Sequence, residues 1–365
     1  MSENPYILEP NERFPKDRKA PGLSDILTQL SQFGIDGADT VKLIDSTRGG
    51  NDIRLNYIID KKWVLRFCNA PDMTEKRMGD LSRLVERYRA MGYQCPAFLA
   101  DSSGKFLHPW NDLLCYLSEY IDLPLARERD TDLSDKDSAQ LNLQVNLEVA
   151  RFAQAYRDVD LSETMGMYSL FDLNPYDLQA GMDEKQENFE SLIRLLRSEG
   201  ENNLADRLEA KHTNIRRKLK AIYRELPRCV FQGDENLSNV LVDDKGNFAG
   251  FIDFNLAGTE VIVNQLVNLA GFDYDEGHTK PEGSEARLIF AIRGFQNRLS
   301  ATLQVYHVNE LEQQAIPLYG WIVMVAQWPT VCFFEDAIKK GPLKGEILNL
   351  LSLIADLPEE RLLDR

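Results

Sequence analysis

The sequence predicts an α+β protein in which the first third of the chain is mostly β and the remainder mostly helical. Between residues 41 and 69, apolar and polar residues alternate with the period of half-buried strands, around turns that contain Gly, Asp and Lys. After Pro124 the apolar residues recur at helical spacing. Residues 231–255 interrupt the helical part with two short apolar runs around a polar turn, which indicates a β-hairpin.

Length and composition are those of a globular protein. The 365 residues allow one large domain or two to three ordinary ones, and 43% hydrophobic residues are enough for a packed core throughout. No apolar run reaches 18 residues, and the polar, proline-bearing start is unlike a signal peptide. We therefore expect a soluble cytoplasmic protein with no membrane partner.

The cysteines and histidines exclude several kinds of site. The five cysteines stand singly and are odd in number, and the four histidines show no metal-ligand spacing. We expect neither a disulfide framework nor a thiol nucleophile, and neither a zinc site nor a metal hydrolase.

The chain is strongly acidic, with a formal net charge of −16 and a pI near 4.8. Nucleic acid is therefore not an expected partner, since its phosphates require a basic surface. Two interpretations of the acidity remain open. It could concentrate a cationic small-molecule substrate near the site, or it could serve solubility alone.

Three polar residues in and around the predicted hairpin have a spacing that suits catalysis. Asp234 is followed five positions later by Asn239, and Asp253 follows the second apolar run. Such a loop and hairpin can direct one carboxylate at a hydroxyl group while an amide oxygen and a second carboxylate face a divalent ion. Mg²⁺ prefers hard oxygen ligands of this type.

The residues QGDENLSN (232–239), followed by FIDFN (251–255), resemble the HGDxxxxN and (I/L)D(F/W) motifs of the aminoglycoside phosphotransferase and choline kinase superfamily. These are small-molecule kinases with a protein-kinase-like fold. The resemblance implies a two-lobed fold, ATP as phosphoryl donor and Mg²⁺ as cofactor. It also implies that Asp234 is the catalytic base and that Asn239 and Asp253 are metal ligands.

Three positions depart from the family motifs. The motif histidine is Gln232, which can both donate and accept the hydrogen bond that orients the loop. The acidic residue often found two positions after the metal-binding aspartate is Asn255, a change expected to weaken metal binding. The structural aspartate of the following motif falls on Asn268.

The resemblance also assigns a nucleotide-binding region to the first part of the chain. The turn at residues 46–52 would cover the ATP phosphates, the basic residue of the third strand would contact them, and the hinge backbone would bind the adenine edge. The residues assigned in this way are Ser46, Gly49, Gly50, Asn51, Arg66, Glu119 and Ile121. Arginine suits the third-strand position because its planar fork binds phosphate oxygens in pairs.

A kinase-like lobe also needs an acidic residue on the helix after the third strand, to hold the basic residue. The helix predicted over residues 72–91 offers Glu75, Asp80 and Glu86, and the sequence does not choose among them.

These assignments divide the chain into four segments. Residues 1–22 are expected to form an N-terminal tail, 23–115 the nucleotide-binding lobe, 116–124 a hinge, and 125–365 the helical lobe that carries the catalytic and acceptor-binding residues.

The predicted C-terminal helices contain one candidate for acceptor binding. Trp321, Trp328 and Glu335 are seven residues apart and would share a face of a single helix over residues 308–336, if that helix continues through Pro329. Trp328 and Glu335 could then bind a cationic amine through cation-π attraction and charge. Core packing with a capping acid explains the same residues.

The sequence therefore predicts transfer of the ATP γ-phosphate to a hydroxyl group of a small molecule. Amino sugars, aminoglycosides, sugars and amino alcohols are all open as acceptors. The alternatives are a catalytically inactive nucleotide-binding module, suggested by Gln232, Asn255 and Asn268, and an enzyme of the same fold that transfers a nucleotidyl group.

Overall fold

The computed structural model describes residues 5–129, 135–172, 181–275 and 281–363. The chain forms two compact units, one of residues 1–131 with 235–254 and one of residues 132–234 with 255–365. The first unit contains a large sheet and two helices, and the second is mainly helical. The α+β class predicted from the sequence, β-rich at first and then helical, is confirmed.

The first unit contains a seven-stranded sheet in the order β1-β2-β3-β4-β7-β5, with β6 also paired to β7. Only the β1–β2 pair is parallel among these strands. The strands are β1 (Tyr6–Ile7), β2 (Val41–Asp45), β3 (Arg54–Ile59), β4 (Trp63–Cys68), β5 (Phe98–Leu99), β6 (His108–Trp110) and β7 (Leu113–Glu119). The three strands predicted between residues 41 and 69 are all present.

The two faces of this sheet differ, because side chains alternate along each strand. One face is apolar and packs with the first helix, α1 (Leu23–Gln32), in a buried core that includes Ile26, Leu55 and Phe67. The opposite face carries polar side chains at alternate positions, among them Arg66 and Tyr116, which lie opposite each other on β4 and β7.

The second helix, α2 (Glu75–Ala90), begins at its N-cap Thr74, whose hydroxyl accepts the amide of Arg77 over 3.2 Å. The helix is therefore shorter at its start than the predicted 72–91. It ends before Gly92, which has a φ of 89° and allows the chain to reverse.

Residues 1–22, expected to form a tail, are attached to the sheet where the structure describes them. Residues 6 and 7 form the parallel strand β1, and the Asp45 carboxylate accepts the backbone amide of Asn11 over 2.8 Å. Phe14 is buried in the core. This segment therefore extends the sheet by one strand.

The predicted hairpin belongs to the first unit and consists of β9 (Val240–Val242) and β10 (Phe248–Phe251). Gly250 lies directly against residue 94, where an added Cβ would come within 1.9 Å of the Gln94 carbonyl oxygen. Phe251 and Phe254 pack against Tyr88 of α2, with ring centroids 5.5 and 5.9 Å from the Tyr88 ring. Helix α2 and the hairpin are thus held together by aromatic contacts.

The second unit pairs β8 (Arg228–Phe231) with β11 (Gly258–Val261) in antiparallel register and surrounds this pair with helices. The helices are α3 (Asp135–Tyr156), α4 (Glu184–Ser198), α5 (Asn202–Ile222), α6 (Ile262–Ala270), α7 (Ser284–Leu303), α8 (Glu310–Ala326), α9 (Trp328–Lys340) and α10 (Lys344–Asp356).

The single helix predicted over residues 308–336 is wrong. The chain breaks at Gln327, and α8 and α9 are bent by 41°. Pro329 lies in the first turn of α9, where its missing amide and fixed φ are tolerated, so it starts a helix here rather than interrupting one. Within the described residues no single helix could span a membrane by length and composition, and α8 and α9 meet that test only together.

Candidate active site

The candidate base Asp234 follows β8 in the second unit, and its loop requires a glycine. Gly233 has a φ of 86°, and a Cβ there would come within 2.4 Å of the Leu256 carbonyl oxygen. The side chain of Gln232 is fully buried, and its Oε1 accepts the backbone amide of Asp234 over 2.7 Å. Gln232 therefore makes the kind of loop-orienting hydrogen bond expected at the position of the motif histidine.

The two candidate metal ligands lie side by side in the first unit. Asn239 ends the 3₁₀ turn before β9, and its carbonyl oxygen accepts the amide of Ile252 over 2.9 Å. Asp253 is the next residue along the chain. It adopts a φ of 56°, which is uncommon for a residue other than glycine. Such backbone conformations concentrate at functional sites.

This pair suits Mg²⁺ better than a metal that is held by protein alone. The described residues contain no group of three or more His, Cys, Asp or Glu side chains placed to bind a metal ion. Asn239 and Asp253 supply one amide oxygen and one carboxylate. Mg²⁺ is commonly bound by one or two carboxylates, with substrate phosphates and waters completing its coordination. The donor set therefore fits an ion that is bound together with a phosphorylated ligand.

The turn predicted to cover the ATP phosphates is a tight reversal between β2 and β3. Asp52 donates its amide to the Gly49 carbonyl oxygen over 3.0 Å, and Gly49 has a φ of 156°. Asn69 ties the turn to the end of β4, because its side-chain amide donates to the Gly50 carbonyl oxygen and its Oδ1 accepts the amide of Ile53, both over 2.9 Å. Ser46, Gly50 and Asn51 are exposed.

Arg66 lies on β4 with its charge close to Asp253. Burial alone would lower the pKa of Arg66, but the hydrogen-bonded Tyr116 hydroxyl and the Asp253 carboxylate together hold it above its usual range. The Arg66 Nε is buried and has no hydrogen-bond partner among the described residues. Within the first unit the fold therefore brings together the two candidate metal ligands and a cation whose Nε has no hydrogen-bond partner among the described residues.

None of the three acids considered as partners of Arg66 is among the groups that act on it. The Glu75 carboxylate accepts the backbone amides of Phe106 and Leu107 over 3.0 and 2.9 Å. Asp80 forms an ion pair with Arg83 at 2.5 Å. The side chain of Glu86 is exposed.

The predicted hinge lies at the end of β7, and its backbone is partly used inside the protein. Glu119 donates its amide to the Ala97 carbonyl oxygen over 2.9 Å, and Tyr120 donates to the Lys62 carbonyl oxygen over 2.8 Å. The Glu119 carboxylate forms an ion pair with Arg89.

Trp321, Trp328 and Glu335 do not share one helix face, contrary to the expectation from their spacing in the sequence. Trp321 of α8 is fully buried, and its indole donates to the Ile354 carbonyl oxygen over 3.2 Å. Trp328 begins α9 and is 61% exposed. Glu335 accepts hydrogen bonds from Ser191 and Lys339, both over 2.7 Å. Trp328 and Glu335 still lie two turns apart on α9.

Asn268, which replaces the motif aspartate, has a structural role on α6. Its side-chain amide donates to the carbonyl oxygen and Oδ1 of Asn264, both over 2.9 Å, and its own backbone carbonyl accepts from Gln327 over 3.0 Å. The residue therefore connects α6 to the start of α9.

Tyr116 was not singled out by the sequence analysis, although it is hydrogen bonded to Arg66. The signal that could have found it is the antiparallel pairing of two predicted strands. Once β4 and β7 are aligned, alternation places residues 66 and 116 on the same face.

The chain is similar to a known protein family and to several solved structures. The family model described as "Phosphotransferase enzyme family" matches residues 47–278, which is more than half of the chain. No curated protein sequence matches the chain.

The first structural match is "Amicoumacin kinase hAmiN in complex with AMP-PNP, Ca2+ and Ami". It has a TM-score of 0.51 and 12% identity, over 93% of this chain and 96% of that one. A spectinomycin phosphotransferase, APH(9)-Ia, in complex with ADP and spectinomycin has a TM-score of 0.46 and 12% identity, over 93% of this chain and 96% of that one.

A microcompartment-associated aminopropanol kinase has a TM-score of 0.46 and 10% identity, over 93% of this chain and 97% of that one. The kinase-like fold implied by the sequence motifs is thereby confirmed. With the catalytic-loop and hairpin motifs inside the matched residues, the chain belongs to the phosphotransferase enzyme family and is a small-molecule kinase.

Proposed function

We propose that this kinase transfers the γ-phosphate of ATP to a hydroxyl group of a small molecule in a Mg²⁺-dependent reaction. The observation that carries the proposal is the arrangement in the first unit, where a backbone hydrogen bond sets Asn239 beside Ile252 and Asp253, and Arg66 lies close to the Asp253 carboxylate. Phosphoryl transfer depends mainly on positioning and on charge neutralisation around the phosphates, and these residues are suited to both tasks.

The donor phosphates have two sets of binding groups in this proposal. Asn239 and Asp253 would hold Mg²⁺, which when bound neutralises phosphate charge. Arg66 contacts the phosphates directly, and the turn that contains Ser46, Gly49, Gly50 and Asn51 covers them. A tight Gly-containing turn suits this role, because a backbone without Cβ atoms can approach phosphate oxygens closely.

The adenine edge is assigned to the end of β7. Since the amides of Glu119 and Tyr120 already donate to protein carbonyl groups, the assignment falls on the Glu119 carbonyl oxygen and the Ile121 amide. These two groups offer one acceptor and one donor, as an adenine edge requires.

Asp234 is the proposed contact for the hydroxyl group of the acceptor, and it accepts or orients the proton of that hydroxyl. The hydrogen bond from its amide to Gln232 Oε1 supports this assignment, because it holds the loop in one conformation without using the Asp234 carboxylate. A general base must be held within hydrogen-bond reach of the proton that it removes.

The acceptor is assigned to a hydroxylated small molecule, with amino sugars, aminoglycosides, sugars and amino alcohols as the classes to test. Trp328 and Glu335 on α9 are the candidate contacts for a cationic group. Lys339 already pairs with Glu335 and holds the pKa of that carboxylate below its usual range, so a cationic acceptor would have to compete with this lysine.

ADP release tests the proposal, with Mg-ATP and a panel of sugars, amino sugars, aminoglycosides and amino alcohols. Asp234→Asn should lose about 10²- to 10⁴-fold in turnover, which is typical of a removed general base, while ATP binding measured by calorimetry persists. Asp244→Asn is the matched control, because it makes the same change at an exposed carboxylate on the nearby hairpin turn.

Three results would count against the proposal. Unchanged turnover in Asp234→Asn would show that Asp234 is not the catalytic base. Loss of ATP binding in that variant would show that Asp234 has a role in nucleotide binding instead. Release of pyrophosphate in place of ADP would show nucleotidyl transfer.

A further inference from the structure

Arg66 and Tyr116 form a cross-strand pair on the polar face of the sheet. They lie directly opposite each other in the β4–β7 ladder, and directly opposite residues on adjacent antiparallel strands have Cβ atoms about 4.5–5.5 Å apart. Tyr116 is only 3% exposed, and its hydroxyl is hydrogen bonded to the Arg66 guanidinium. Both residues lie on regular strands, so the sheet itself sets their relative position.

The pairing occupies only part of the donor capacity of Arg66. A guanidinium carries five N–H donors in a planar fork. Its buried Nε has no hydrogen-bond partner among the described residues. A buried donor without a partner is unfavourable unless a ligand supplies the acceptor. A phosphate oxygen is the acceptor that a guanidinium binds well.

A kinase-like lobe was expected to have an acidic residue on α2 that holds Arg66, and α2 supplies no such partner. Its acid Glu75 binds two backbone amides, Asp80 interacts with Arg83 and Arg77, and Glu86 is exposed. The buried cation Arg77 of the same helix pairs with Asp72 at 3.1 Å and lies within electrostatic range of Tyr116. The carboxylate that acts on Arg66 is that of Asp253, which follows the β9–β10 hairpin, and not an acid of α2.

We propose that Tyr116 is a positioning residue for Arg66, holding the guanidinium from the neighbouring strand so that its free edge meets the nucleotide phosphates. The inference rests on the proposed function, in which Arg66 binds those phosphates. Tyr116 thereby does for this chain what an acidic residue of α2 was expected to do, with a neutral hydroxyl in place of a carboxylate.

A neutral partner has a consequence for phosphate binding. Burial raises the pKa of Tyr116 to about 12, so the hydroxyl carries no charge at neutral pH. A carboxylate at residue 116 would add a second negative charge to that of Asp253, whereas a hydroxyl orients the guanidinium without adding one. The arrangement therefore favours ligands with several phosphate charges over an uncharged nucleoside.

The test compares Tyr116→Phe with Tyr57→Phe by calorimetry, with Mg-ATP, Mg-ADP and adenosine as the ligands. Tyr57 is the matched control because it is a buried tyrosine on the opposite face of the same sheet, and its hydroxyl donates to the Pro21 carbonyl oxygen over 3.1 Å. We expect Tyr116→Phe to weaken ATP and ADP binding about tenfold, as for the loss of one hydrogen bond to a charged group, and to leave adenosine binding unchanged.

A second variant separates positioning from stability. In an Arg66→Gln background the further change Tyr116→Phe should have no additional effect on ADP affinity, because the group that it positions is absent. Equal weakening of ATP and adenosine binding, or the same loss in Tyr57→Phe, would show a general effect on the sheet and overturn the inference.

The inference and the proposed function fail in distinguishable ways. If the unmodified protein binds no ATP, the proposed function itself is wrong. If it binds ATP and Tyr116→Phe binds ATP equally well, the proposed function stands and only the role of Tyr116 is removed.

Discussion

Ile252 donates its backbone amide to the Asn239 carbonyl oxygen over 2.9 Å, and this one bond joins the two ends of the β9–β10 hairpin. Asn239 directly precedes β9, and Ile252 directly follows β10. The residue after Ile252 is Asp253, so the closed hairpin brings the amide and carboxylate side chains into one neighbourhood. A sequence separation of fourteen residues becomes a local arrangement through strand pairing alone.

The first prediction concerns this pair as a Mg²⁺ site. Asp253→Asn should reduce the Mg²⁺-dependent part of ATP affinity and the turnover by at least about 10- to 100-fold, because even a residue that only supports a metal ligand contributes that much. Calorimetric ATP titrations at increasing Mg²⁺ concentration measure the effect. Asp244→Asn, on the turn of the same hairpin, should behave like the unmodified protein. Equal Mg²⁺ dependence in the two variants would contradict the assignment of Asp253.

A second prediction concerns Gln232, which stands where the family motif has histidine. Gln232→Met keeps the side-chain length but removes the acceptor of the Asp234 amide, which leaves a buried donor unpaired. We expect turnover to fall about tenfold with an unchanged Michaelis constant for ATP, since the loop around Asp234 is the part affected. Gln232→His restores an acceptor and should retain most of the turnover. If Gln232→Met is as active as the unmodified protein, the loop is held by other contacts.

The strand plan of the first unit could be predicted from the sequence because strand alternation and turn residues are local signals. The hairpin around residues 243–247 and the strands at 54–59 and 63–68 lie where the pattern placed them. The pairing of Arg66 with Tyr116 could not be read in this way. It depends on the register between strands that are about fifty residues apart, which no local pattern sets.

The helix break at Gln327 shows a different limit. The sequence identifies Pro329 as a residue that can interrupt a helix, but whether a proline kinks a helix or begins a new one depends on where the chain turns. Here the turn comes two residues earlier, so Trp321 enters the core and Trp328 stays at the surface. Helical spacing alone therefore predicted one shared face for two tryptophans of which one is buried and the other is exposed.

A third prediction follows from that difference. Trp321→Ala should destabilise the protein by about 3–5 kcal/mol, as for a large buried aromatic side chain, whereas Trp328→Ala should change the free energy of unfolding by less than about 0.5 kcal/mol. Urea unfolding measures both. Trp328→Ala is then a clean probe of acceptor binding. A raised Michaelis constant for a cationic acceptor would support Trp328 as a contact for the acceptor. An unchanged Michaelis constant in this folded variant would show that Trp328 does not contact the acceptor.

The last prediction concerns a buried carboxylate in the second unit. Glu260 on β11 is 2% exposed, and burial raises its pKa to about 7 from an ordinary value of about 4.5. Its Oε1 accepts the amide of Val261 over 2.8 Å, while its Oε2 has no hydrogen-bond partner among the described residues. Four charged or titratable groups among the described residues interact with Glu260. They are Lys185 of α4, Tyr223, which directly follows α5, Arg228 of β8, and Tyr319 of α8.

Because the pKa of Glu260 is higher in the folded state than in the unfolded state, its stabilising contribution is complete below about pH 4.5 and is lost as the pH rises through about 7. The size of this loss is about 3 kcal/mol. Glu260→Gln cannot ionise, so the decrease in unfolding free energy between pH 5 and pH 8 should be smaller in this variant by about that amount.

Urea unfolding at intervals across this pH range measures the difference, with the exposed Glu225→Gln as the control. The control should retain the full pH dependence of the unmodified protein, because it makes the same change at an exposed position and leaves Glu260 in place. Identical pH profiles for Glu260→Gln and the unmodified protein would show that Glu260 is ionised throughout. The positive charges of Lys185 and Arg228 would then outweigh the effect of burial.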